Sequence, residues 1–216
     1  MFLMLISLLF VLPVSAGSVV YNSNVHAGKK IALTFDDGPH PKLTKRILEV
    51  LDKYSIKSTF FVIGENVKNY PNELKKIYEK GHEIGNHTYS HSILKSMPKD
   101  KIQDEIINTE KQVREICDCN MSLVRPPCGI YDETLEKIAE EKDSKIVLWT
   151  IDTHDWAHAS KKNIVNNVLK NIKDGDIILF HDYVSGEYNT PEALDIIIPL
   201  LLEKGYEFVT VSELLQ

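Results

Sequence analysis

The side chains best equipped for chemistry in this chain sit just after short apolar runs. Thr34-Phe35-Asp36-Asp37-Gly38-Pro39 closes the run Ile31 to Phe35, which reads as a buried strand stopped by Gly-Pro turn chemistry. Successive residues of an extended chain point opposite ways, so Asp36 and Asp37 face different directions. One carboxylate can then hold a metal while its neighbour accepts a proton from a bound water. The plain alternative is an Asx-type turn before Gly-Pro. His87-Thr88-Tyr89-Ser90-His91 follows a later run. Histidines four apart fall on one face of a helical turn and can reach a single ion, whereas many such pairs only bond nearby carbonyls. Two histidines with Asp37 fill half of a six-coordinate shell or three-quarters of a tetrahedral one, leaving room for water and a substrate oxygen.

Three further stretches add groups of the same kind. In Arg125-Pro126-Pro127-Cys128-Gly129 neither proline has an N–H, so the Cys128 amide is the first backbone donor, and Gly129 permits close approach of a ligand. That amide suits an oxyanion, while the bland reading is a rigid turn with a solvated arginine. Asp152-Thr153-His154-Asp155-Trp156 and Leu179-Phe180-His181-Asp182 end two more runs. Taken singly, His181 reads as a bonded histidine at a core edge and Trp156 as packing. Their shared location outweighs the single readings, because parallel barrels place their active sites where strands end.

Alternating strand-like and helix-like patterns must position these groups. Strands are expected at Ile31 to Phe35, Ser58 to Ile63, His82 to Asn86, Ser122 to Arg125, Lys145 to Ile151, Asp176 to Phe180 and Tyr206 to Val211. Between them the spacing predicts a helix carrying Leu43, Ile47, Val50, Leu51 and Tyr54 on one face. Others follow at Asn72 to Lys80, Lys99 to Ile116, Asp132 to Glu141 and Ile164 to Ile172. A last helix starts at Thr190-Pro191, is kinked by Pro199 and ends at Gly205. The fold class expected is α/β, a closed or nearly closed parallel barrel of about seven strands. An open doubly wound sheet is the alternative, without the Gly-rich phosphate loop that usually marks one.

The chain has 216 residues and a net charge of −6, and it has no basic block that could track a phosphate backbone, so nucleic acid is not an expected partner. Met1 to Leu12 is almost wholly apolar and leads to Pro13-Val14-Ser15-Ala16, which reads as a signal peptide over 1–16 cleaved after Ala16. An uncleaved anchor is the alternative. Gly17 to Gly28 then form a polar, loose lead-in to a single domain over 29–216. The three cysteines, Cys117, Cys119 and Cys128, allow one internal bridge at most, from Cys128 to either of the others, and equally fit three reduced thiols.

With all these stretches in order, TFDDGP, HTYSH, RPPCG, DTHDW and LFH, the chain resembles the polysaccharide deacetylases of carbohydrate esterase family 4, the NodB-homology domain, over about residues 29 to 214. The resemblance implies a distorted (β/α) barrel that removes acetyl groups from glycans with a divalent metal, zinc first, with cobalt, nickel and manganese as alternatives. It implies that Asp36 is the general base, Asp37, His87 and His91 the metal ligands, and Arg125 the group orienting the base. Cys128 takes the position supplying the oxyanion amide, Asp155 tunes the acid His181, Leu179 lines the acetyl pocket, and Trp156 borders the substrate. Cys128 stands where the family commonly has an aromatic residue, which opens the groove wall. The expected substrate is a cell-envelope glycan, N-acetylglucosamine of peptidoglycan ahead of chitin oligomers or acetyl-xylan, acted on by a secreted or envelope-associated monomer. Three rival classes share parts of this pattern: an iron oxygenase, a cysteine hydrolase using Cys128, and a non-catalytic glycan-binding module.

Overall fold

The computed structural model describes residues 19–183, 185, 186 and 188–216; the expected signal segment lies outside them. In chain order the strands are β1 (Val20–Tyr21), β2 (Lys30–Asp36), β3 (Thr59–Val62), β4 (Glu83–Asn86), β5 (Leu123–Val124), β6 (Lys145–Val147), β7 (Ile151–Asp152), β8 (Ile177–His181) and β9 (Glu207–Phe208). The helices are α1 (Leu43–Lys53), α2 (Gly64–Asn69), α3 (Pro71–Glu79), α4 (Lys99–Arg114), α5 (Glu133–Glu141), α6 (Lys161–Asn171), α7 (Thr190–Glu203) and α8 (Val211–Leu214). The strands form one sheet in the order β1-β6-β5-β4-β3-β2-β8-β7, with β9 also paired to β2. Every pairing of these strands is parallel, so the fold is the expected α/β distorted barrel.

Alternation along β2 explains how the barrel holds both a core and a site. Ile31, Leu33 and Phe35 belong to the large apolar cluster that includes Ile47 and Leu51 of α1 and Leu194, Ile197 and Ile198 of α7. Phe35 stacks on Phe60 of β3 and Phe180 of β8, with ring centroids 4.9 and 5.8 Å away. Ala32 falls in a second cluster with Phe61, Val147 and Ile177, and Thr34 and Asp36 share its side of the strand. Val211 and Leu214 of α8 join that second cluster. Helix ends follow their sequence signals. Asp132 caps α5 by accepting from the Thr134 amide at 3.0 Å, and Gly81 and Gly205 follow α3 and α7 with φ of 74° and 81°.

Three expectations are corrected. The lead-in is not loose from Val19 onward: β1 pairs with β6, and the Asn24 amide donates to the Gly175 carbonyl at 2.9 Å. The strand expected over Lys145 to Ile151 is two. β6 pairs with β1 and β5, the chain then crosses at Leu148 to Thr150, and β7 pairs with β8, so one segment serves both flanks of the barrel. Tyr206 to Val211 yields only the short β9 before Thr210 caps α8 through a reciprocal box with Glu213. Helix α7 carries Pro199 within it and ends before Gly205, with Ile197, Ile198 and Leu201 buried. All three cysteines are free, which leaves the Cys128 bridge unmade.

Candidate active site

The site lies at the carboxyl ends of the strands. A cleft of about 370 Å³ is lined by Asp36, Asp37, His87, His91, Cys128, Trp149, Asp152, Trp156, Leu179 and His181. A larger cavity of about 740 Å³ opens beside the β1–β6 seam between Asn22, Thr150 and Asp176. It shares Trp149 with the cleft but holds none of the ionisable groups singled out in the sequence. The smaller cleft is therefore the one with chemistry.

Asp36 and Asp37 occupy opposite environments, as their adjacency predicts. Asp36 points into the barrel, where Arg125 Nη1 donates to its Oδ1 at 2.7 Å. Arg125 is completely buried. Its remaining donors go to Thr34 Oγ1 at 2.8 Å and to the carbonyls of Val147 and Leu148 at 3.1 Å each, and its guanidinium carbon lies 4.0 Å from the centre of the Phe61 ring. Burial pulls the Arg125 pKa down, opposed by the Asp36 charge. So held, the pair fixes Asp36 with one oxygen committed and Oδ2 turned toward the histidines, 3.6 Å from His87 Nε2.

Asp37 sits past the strand with φ of 76°, in left-handed backbone that a non-glycine residue rarely adopts. Its Oδ1 is 3.4 Å from His87 Nε2 and 3.3 Å from His91 Nε2, and it is buried without any hydrogen-bond partner. Burial would raise the Asp37 carboxyl, but the close approach of His87, then the charges of His181 and His91, outweigh it and lower its pKa. His87 Nδ1 lies 2.7 Å from the Arg125 carbonyl, which can only accept. The proton therefore belongs on Nδ1 and the Nε2 lone pair is free. One ligand atom from each of Asp37, His87 and His91 lies within 4.8 Å of the others. An orphaned carboxylate oxygen facing two imidazole nitrogens suits a divalent cation, so these residues fit one.

The histidines do not reach this point from a helical turn. Residues 87–92 form a loop in which Thr88 and His91 have φ of 68° and 58°. Outside contacts hold that loop. Glu105 of α4 accepts from the amides of Tyr89 and Ser90 at 2.8 Å each, and the amides of Gly64 and Glu65 at the start of α2 donate to the Thr88 and Tyr89 carbonyls.

On the opposite wall, His181 Nδ1 meets Asp155 Oδ1 at 2.8 Å, and the His181 amide donates to Asp155 Oδ2 at 2.9 Å. Thr190 Oγ1 and the Trp156 amide also donate to this carboxylate, at 2.7 and 2.9 Å, which locks it in place. Burial disfavours the imidazolium, but the bond and charge of Asp155, then the charges of Asp36 and Asp37, raise the His181 pKa to about 9. Leu179 is buried in the cleft wall, and Trp156 is 53% exposed at its rim with Nε1 over the Asp152 carboxylate at 3.3 Å. Cys128 is exposed with φ of 57°. The amides of Gly129 and Ile130 donate within their turn, whereas the Cys128 amide makes no hydrogen bond among the described residues. All ten residues expected at the site are thus gathered there. Three neighbours escaped sequence reasoning as site residues: Trp149, hidden mid-strand; Asp152, beneath Trp156; and Asp182, whose only signal is a carboxylate following His181.

Comparison with known proteins agrees with this geometry. The profile of the polysaccharide deacetylase family matches residues 23–147. A peptidoglycan-N-acetylglucosamine deacetylase of Bacillus cereus is 42% identical over 188 residues, 87% of this chain and 68% of that protein. The crystal structure of the Bc1960 peptidoglycan N-acetylglucosamine deacetylase superposes with a TM-score of 0.88 at 40% identity, covering 91% of this chain and 92% of that one. BA3943 of Bacillus anthracis, a CE4 family pseudoenzyme, superposes with a TM-score of 0.85 at 31% identity over 91% of this chain and 69% of that one.

Proposed function

Because this chain belongs to the polysaccharide deacetylase family, we propose that it is a metal-dependent hydrolase removing N-acetyl groups from a cell-envelope glycan, N-acetylglucosamine of peptidoglycan first. The observation that carries this reading is the split between the adjacent aspartates: Asp36 is tied to Arg125, while Asp37 offers an unpartnered oxygen to two histidines. Asp37, His87 and His91 hold a divalent ion, zinc before cobalt, nickel or manganese. When bound, such an ion acidifies water and polarises the acetyl carbonyl.

The chain's own groups divide the remaining work. Asp36, held by the buried Arg125 through Oδ1, takes a proton from the attacking water through Oδ2. The Cys128 N–H donates to the oxygen that gains charge as the tetrahedral centre forms. His181 carries its proton on the far nitrogen from Asp155 and delivers it to the departing sugar amine. Leu179 offers an apolar wall to the acetyl methyl, and exposed Trp156 a flat face to a sugar ring. Shared scaffold alone does not make an enzyme, as BA3943 illustrates. Here the base, the acid and the ion-binding groups are all present and within reach of one cleft.

Acetate release decides the substrate. Peptidoglycan, chitooligosaccharides and acetyl-xylan are compared with the metal-loaded protein, and faster release from peptidoglycan is expected. Preference for chitooligosaccharides would move the assignment within the family. Glycan binding without acetate release, unchanged after chelation, would replace it with a binding module. The protein acts, in the same reading, as an exported monomer that begins at Gly17 after cleavage. Amino-terminal sequencing that finds Met1 on membrane-bound material would replace cleavage with an anchor.

A further inference from the structure

Aspartate enters left-handed backbone through local side-chain hydrogen bonds, but Asp37 Oδ1 makes none, so that route does not hold the conformation that aims Asp37 at the histidines. Peptide groups around Asp37 are instead fixed from outside. Asn66 Nδ2, in α2, donates to the Asp37 carbonyl at 2.7 Å. The Gly38 amide donates to Asp182 Oδ1 at 2.9 Å, and the Asp182 amide donates to the Asp36 carbonyl at 3.0 Å. The Gly38 carbonyl accepts from the Ile63 amide at 3.0 Å. Asp182 is itself buried, with its second carboxylate oxygen taken by Thr44 Oγ1 of α1. The peptide that follows the Asp37 Cα is therefore pinned by both side chains, Asn66 at its carbonyl and Asp182 at its amide, and the backbone amide of Asp182 holds the peptide that precedes it.

Gly38 supplies a second, steric line of evidence. Its φ lies outside the left-handed region, so the backbone would accept a side chain there. A Cβ on Gly38 would nevertheless lie 2.1 to 2.4 Å from the Asp182 carboxylate. The glycine of Asp-Asp-Gly-Pro is thus required by the close approach of Asp182, not by its own conformation.

We propose that Asp182 and Asn66 are positioning residues that hold the backbone of Asp37 in the conformation its carboxylate needs to ligate the ion. The proposal rests on the reading of Asp37 as a metal ligand. Neither side chain touches the ion or the substrate. Partners one step behind a ligand are worth about 10- to 100-fold in metal affinity, and that is the loss each should produce.

Zinc titration of the metal-stripped full chain against a chromophoric chelator tests it, with the melting temperature of the same metal-free protein as a separate readout. Asp182→Ala and Asn66→Ala should each weaken zinc binding about 10- to 100-fold. Asp182→Asn keeps an acceptor for the Gly38 amide and should bind zinc as the wild type does. Gly38→Ala should weaken zinc binding in the wild-type background and add nothing further in the Asp182→Ala background, where the carboxylate is gone. An alanine variant at either position that melts lower but binds zinc with wild-type affinity overturns the proposal, since a merely structural role moves only the melting temperature. Should Asp182→Ala fail to fold, Asn66→Ala at its half-buried site decides alone. Asp37→Ala, run alongside, must lose zinc. If it does not, the ligand assignment falls rather than the clamp.

Discussion

At the scale of single residues, the adjacent aspartates respond differently to the same small change. Asp36→Asn keeps the shape and one acceptor, but its amide cannot take a proton, so kcat should fall roughly 10²- to 10⁴-fold with the ion still bound. Sequence alone suggests that this variant keeps its fold and its metal. The structure changes that expectation, because Arg125 is completely buried and Asp36 is its carboxylate partner. Removing the counter-charge leaves a buried cation held only by neutral oxygens, which costs on the order of 3 kcal/mol. Urea unfolding read beside metal content and kcat separates the two effects; an unchanged midpoint would mean that the Val147, Leu148 and Thr34 oxygens suffice. His181 is governed by Asp155 in a way that pH reads directly. Its pKa, raised to about 9, keeps the acid form populated through neutral pH. Asp155→Asn keeps one acceptor but removes the charge that raises it, so the alkaline limb of kcat/KM should move to lower pH. A limb that stays in place would assign the acid to another group.

At the scale of elements, site geometry is made by loops that other elements hold. Among the described residues, six of the nine non-glycine residues with positive φ are Asp37, Thr88, His91, Cys128, His154 and His158, all in loops that follow strands at this end of the barrel. The loop over 87–92 depends on Glu105, which accepts from two of its amides and from Ser90 Oγ. Glu105→Ala should cost about 1–3 kcal/mol for the donors left unpaired, and should weaken metal binding by releasing His91. Equal metal affinity in this variant would show that the loop is self-supporting. These supports also mark where sequence stopped being informative. Strand and helix periodicity follows burial, which is local and regular, so the βα alternation and the strand-end position of Asp36, His87, Arg125, Asp155 and His181 were legible. The helical turn expected for His87 and His91 failed because residues four apart can also converge through two left-handed residues fixed by α2 and α4. The pairing of β1 and the split between β6 and β7 depend on partners far along the chain, and no local pattern records them.

At the scale of the whole molecule, buried ionisable groups far from one another set how the metal-free fold responds to pH. His82, buried at the start of β4, has Nδ1 3.3 Å from Ser58 Oγ and Nε2 without a partner, and its ring packs edge-on against Phe60. Burial, then the positive charge of Lys57, lowers its pKa to about 4, with Asp52 opposing and Lys80 adding to the effect. A depressed folded-state histidine pKa means that the unfolded chain binds the extra proton. Stability from His82 is therefore complete above pH 6.5 and is lost as pH falls toward 4, by about 3 kcal/mol. Asp182 works in the opposite sense. Burial raises its carboxyl to about 7 despite the Thr44 and Gly38 bonds, so its contribution is complete below pH 3.8 and is lost as pH rises through 7, by about 4 kcal/mol. Between pH 4 and 6.5 the two slopes oppose and nearly cancel. Above 6.5 His181 adds a further loss, since its raised pKa of about 9 gives stability that disappears as pH climbs past it. The melting temperature of the metal-free protein should accordingly be flat from about pH 4 to 6.5 as far as these groups set it, and should fall toward pH 9. Single variants uncover each slope. His82→Met should leave a protein whose stability declines steadily from pH 4 to 7, and Asp182→Asn one whose stability declines from pH 6.5 down to 4. Thermal melts of the two variants that keep the same flat profile would show that neither group carries the charge burial assigned to it.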